Sequence, residues 1–93
     1  MNQNIDRFLD KDGKVKLVPA KQMMREFVFA YLATKFNPDQ EYTEREVNEI
    51  LSEWHTFNDY FILRRGLIES QYLQRKSDGS CYWINKEKLK EPN

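Results

Sequence analysis

The sequence predicts an α+β domain of winged-helix type, with a three-helix core, a C-terminal β-hairpin and a short N-terminal strand. Three observations carry this. A firm helical apolar stripe runs from Met24 to Phe36. A capped helix pair follows over Tyr42–Ile68. Two aromatic-rich segments then flank an Asp78-Gly79 turn.

Taken in order, Ile5, Phe8 and Leu9 give a short amphipathic turn, followed by Asp10-Lys11-Asp12-Gly13. A calcium loop with Gly13 at its sixth position would need oxygen ligands where Phe8 and Pro19 stand. The run is therefore read as a turn with Gly13 in a left-handed conformation. Val15, Leu17 and Pro19 then alternate with Lys14, Lys16 and Val18, as in a half-buried edge strand. Pro19 suits the start of a helix, where its missing N–H costs nothing. Met24, Phe27, Val28, Tyr31, Leu32 and Phe36 hold one face of that helix, and Asn37-Pro38-Asp39-Gln40 ends it. A stripe at this spacing is read as core, not as a ligand pocket.

Thr43 and Glu46 have the spacing of a capping box, and Tyr42 with Val47 that of a hydrophobic staple. Val47, Ile50, Leu51 and Trp54 then share one buried face. In the second helix Tyr60, Leu63 and Leu67 point inward, while Arg64 and Arg65 point at least partly to solvent. Tyr72–Arg75 and Cys81–Ile84 form the hairpin around residues 76–80. The prediction is a single domain over residues 1–93, with its core at about 5–85 and a flexible tail at 86–93.

Composition bounds the function. The chain is 40% hydrophobic and 32% charged, which suits one small globular domain. No apolar run approaches the roughly 20 residues of a membrane span, and MNQNIDRFLD lacks the apolar stretch of a signal peptide. A cytoplasmic location with no membrane partner is expected. Cys81 is the only cysteine and His55 the only histidine, so no disulfide, multi-cysteine metal site or paired-histidine site is expected, and no cofactor. No phosphate-cradling glycine loop exists either, so an enzyme is not expected. A Cys81–His55 dyad would require the hairpin to reach the helix junction. Gly66 inside a helix hints at close approach of another backbone or chain.

Fifteen basic and fifteen acidic residues cancel, which argues against a nucleic-acid partner. Their distribution is polarised. Glu41, Glu44, Glu46, Glu49 and Glu53 load the first helix of the pair, and Arg64, Arg65, Arg75 and Lys76 the second helix and the segment after it. In a winged helix the third helix enters the major groove and the wing touches phosphate or minor groove. Asn48, Arg64, Arg65, Arg75 and Lys76 are then the candidate nucleic-acid-binding residues. Each has a plainer reading: a local hydrogen bond for Asn48 and ion pairs with Asp59, Glu69 or the acidic helix for the arginines. By strand alternation one of Tyr82 and Trp83 faces the core.

The blocks FLDKDGKVKLVPAK, YTEREVNEIL, DYFILRRGLIE, YLQR and DGxxYW, spread over Phe8–Trp83, resemble a small bacterial family of unknown function numbered twenty eighty-seven. Members stand alone or follow a helix-turn-helix regulator domain, so the resemblance implies a place near transcriptional control and no established activity. Gln71 departs from the pattern, where a small residue such as glycine is expected after Glu69-Ser70.

Three functions follow as expectations. The first is a winged-helix module that binds double-stranded DNA or is associated with transcription. The second is a protein-interaction or dimerisation module of the same shape without DNA binding, partnered by itself or by another regulator protein. The third and weakest is small-ligand sensing.

Overall fold

A computed structural model describes residues 5–89. Helix α1 (Gln22–Ala33) is followed by strand β1 (Glu41–Tyr42), helices α2 (Glu44–Glu53) and α3 (Tyr60–Glu69), strands β2 (Leu73–Arg75) and β3 (Tyr82–Ile84), and one helical turn, α4 (Lys86–Leu89). The antiparallel sheet has the order β1-β3-β2, so the hairpin is completed by a strand from between the first two helices. This is a winged-helix-like α+β fold.

The capping box at α2 forms as its spacing requires. Glu46 N–H donates to Thr43 Oγ1 at 3.1 Å, and Thr43 N–H to Glu46 Oε1 at 2.8 Å. Tyr42 and Val47 on either side are both buried. Val28 and Leu32 of α1, Val47 and Leu51 of α2, and Leu63 and Leu67 of α3 are sealed from solvent together with Val15. Tyr82 and Ile84 cover this core from the sheet, while Trp83 lies on the outer face and donates from Nε1 to Gln74 Oε1. The hairpin turn places Gly79 at φ +77°, and Ser80 N–H donates to Asp78 Oδ1.

Several expectations about the elements and their packing differ from what is observed. The strand expected at Val15–Pro19 is a single point of bridging at Val15. Val15 N–H donates to Trp54 O and its own carbonyl accepts from Thr56 N–H, while Leu17, two residues on, stands exposed. Helix α1 begins at Gln22 after the N-cap Lys21, not directly after Pro19. Residues 86–89 of the expected tail form the turn α4, in which Lys86 pairs with Asp39 at 2.6 Å and Lys88 with Glu26 at 3.7 Å. The remainder of the expected tail, 90–93, lies outside the described residues. Lastly, the close neighbour of Gly66 is a side chain. The ring of Phe29, a buried α1 residue beside the expected stripe, occupies the place where a Cβ on Gly66 would lie.

Candidate interaction face of the third helix

The position of α3 is set by a histidine. His55 lies buried just beyond α2, with Nδ1 2.6 Å from Leu51 O and Nε2 2.7 Å from Asp59 N. A carbonyl can only accept and a backbone N–H can only donate, so Nδ1 carries the proton and Nε2 accepts. Asp59 in turn caps α3 by accepting from Ile62 N–H. With both nitrogens bonded to backbone, His55 has none left for Cys81. Burial comes first, then a hydrogen bond with Glu41, in holding the Cys81 thiol above its ordinary range, which works against a nucleophilic thiolate.

Arg64 does not point to solvent as expected. Its guanidinium donates to Asn48 Oδ1 on α2 and lies 3.7 Å from Glu44, leaving its side chain 14% exposed. It also stands over the Phe61 ring, 5.4 Å from the centroid. Glu44 accepts a second bond, from Tyr82 Oη at 3.1 Å. Burial and then this carboxylate push the Tyr82 hydroxyl above its ordinary 10.0. Asn48, Arg64, Glu44 and Tyr82 thus form one chain of contacts across α2, α3 and β3, and the Asn48 oxygen is engaged inside the protein.

The other candidate cations are exposed. Arg65 pairs with Glu69 one turn along α3, at 3.2 Å. Arg75 donates only to the backbone oxygens of Lys76 and Ser77 in the hairpin turn. Arg64, Arg65 and Arg75 line one open cleft of about 390 Å³ between α3 and the sheet, with Glu44 and Glu69 on its walls and Phe61 and Ile68 in it. Lys76 lies apart, in the cleft beside Trp83. Among the described residues no group of three or more His, Cys, Asp or Glu is placed to hold a metal ion, and no helix is long and apolar enough to cross a membrane.

Sequence reasoning missed the apolar part of this face. Tyr60, expected to point inward, is exposed together with Phe61 and Ile62 at the start of α3, Phe61 to 53% and Ile62 to 46%. The signal was present: Tyr60-Phe61-Ile62-Leu63 is four consecutive large apolar residues, and a helix cannot turn all four toward one core.

No curated protein and no solved structure matches the chain. A family model does match, over residues 14–84, and takes in α1 through β3 with every candidate residue discussed above. On that coverage the chain belongs to the bacterial family described as uncharacterized protein conserved in bacteria (DUF2087).

Proposed function

We propose that the domain is a protein-interaction module that docks a partner on the outer face of α3. One observation carries this reading. On the helix that a winged-helix DNA reader lays in the major groove, the exposed first turn is Tyr60, Phe61 and Ile62, while Arg64 is folded inward onto Asn48 and Glu44. Affinity for DNA comes mainly from cations that neutralise phosphates. Here Arg64, Arg65, Arg75 and Lys76 are interleaved with Glu44, Asp59, Glu69 and Asp78, and the whole chain is neutral. Exposed aromatic and branched apolar side chains beside an arginine-lined cleft instead have the character of a protein interface centre.

A DNA-binding or transcription-associated role is the second reading. Arg75 and Lys76 favour it, since both are exposed on the hairpin beside α3. In either case the domain binds and does not catalyse.

Fluorescence anisotropy of mixed-sequence duplex DNA over a salt series separates the two, with R65E/R75E/K76E as the control because it leaves the Arg64 contacts intact. The interaction reading expects no salt-sensitive binding even at low ionic strength. Binding that weakens steeply with salt and vanishes in the variant would favour the DNA reading.

A further inference from the structure

We infer that the partner on α3 is a second copy of this chain, packed helix against helix about a two-fold axis; this rests on the interaction reading above. The outer ridge of α3 carries Phe61, Ile62, Arg65, Ile68 and Glu69, at relative positions 0, 1, 4, 7 and 8, so all five share one stripe. Along the ridge the order is apolar, basic, then apolar and acidic. A parallel copy would set like against like. An antiparallel copy centred near Arg65 lays Ile62 of one chain on Ile68 of the other; the two Arg65 side chains meet at the axis, each flanked within a turn by its own Glu69 and by the opposite one. The ridge is therefore self-complementary in the sense an isologous interface requires.

Charge supports the same occupant. Within one chain the Arg65 and Glu69 side chains are 65% and 67% exposed, so their mutual pair contributes little and costs little to exchange. Covered by a second helix, the same charges act through a lower effective dielectric. Two chains of zero net charge approach without long-range repulsion. Phe61 and Ile62 supply the apolar area.

The test is sedimentation equilibrium of the purified chain at rising concentration, with R65E, E69R and I62D, each checked for folding by circular dichroism. The wild type is expected to dimerise, and each single variant to weaken the dimer by about tenfold or more. An equimolar mixture of R65E and E69R is expected to regain association, because the reversed charges then face their opposites across the two-fold. Folded variants whose mixture stays as weak as its components would overturn the proposed pairing. A wild type that is monomeric throughout and ignores DNA would overturn the second copy and leave α3 to a different protein. A monomer that binds DNA in a salt-sensitive way would overturn both readings.

Discussion

Arg64 of α3 donates to the side-chain oxygen of Asn48 on α2, and that bond turns the central arginine of the helix away from the surface. The Arg64 side chain is mostly buried, so losing Asn48 leaves its guanidinium with only the 3.7 Å pair to Glu44, and losing Arg64 leaves the half-buried Asn48 oxygen without its donor. Asn48→Ala and Arg64→Ala should each cost about 1.5–3 kcal/mol, as for a hydrogen bond to a charged group. Urea denaturation of both single variants and the double variant checks this. The double variant should cost less than the sum of the singles, since the pair acts as one unit.

Gly66→Ala places a methyl group 2.2 Å from the tip of the Phe29 ring. Either the ring swings toward the neighbouring cleft and meets water, or the two helices part. The expected loss is about 1–3 kcal/mol, which outweighs the roughly 1 kcal/mol that alanine gains over glycine in a helix. Phe29→Leu in the Gly66→Ala background should recover part of the loss, seen as a rise in the denaturation midpoint above that of Gly66→Ala alone.

The parts of the fold legible in the sequence are those fixed by near neighbours. The capping box at Thr43 and Glu46, the left-handed Gly13 and the Asp78-Gly79 turn each depend on residues within a few positions, and each forms as expected. Strand β1 was not legible, since two residues carry no periodicity. Glu41 and Tyr42 become a strand only because Trp83 and Tyr82 pair with them. The alternation at Val15–Pro19 misled for the converse reason: the backbone that accepts Val15 belongs to the end of α2, and it holds a single residue. For Arg64 the plainer reading, an ion pair with the acidic helix, holds through Glu44, but its bond to Asn48 was not legible because the two residues lie on different helices. The nature of the neighbour at Gly66 was equally long-range.

Gln71 stands where the resemblance led to the expectation of a small residue such as glycine. It sits at φ +71°, just past α3, where Gln71 N–H donates to Ile68 O and Tyr72 N–H to Leu67 O. This is a Schellman cap, whose left-handed position favours glycine. Gln71→Gly should therefore stabilise the fold by about 0.5–1 kcal/mol, the relief of left-handed strain less the extra freedom of glycine in the unfolded chain. A higher midpoint in thermal or urea unfolding is the expected readout.

Acid should weaken the domain through three carboxyls. Backbone N–H groups hold Asp10 and Asp78 below their ordinary 3.8, led by Lys14 for the first and Ser80 for the second, and the Lys86 ammonium does the same for Asp39. Each folded carboxyl binds its proton more weakly than the unfolded one. Their stabilisation is therefore present above about pH 4 and lost as the pH falls through the depressed folded values. Asp10→Asn and Asp78→Asn keep an oxygen that accepts the same backbone bonds but cannot titrate. Unfolding free energies between pH 6 and pH 3 should fall less in these variants than in the wild type.

The central claim, that the outer face of α3 docks a protein, is tested most directly by a photo-crosslinking amino acid placed at Phe61 in the cell that makes the protein. Met23, at 68% exposure the most open apolar side chain of α1, is the control site. The expected result is a discrete protein adduct from position 61, at twice the chain's own mass if the partner is a second copy, and none from position 23. Adducts to nucleic acid from position 61, or the same adducts from both positions, would contradict the account.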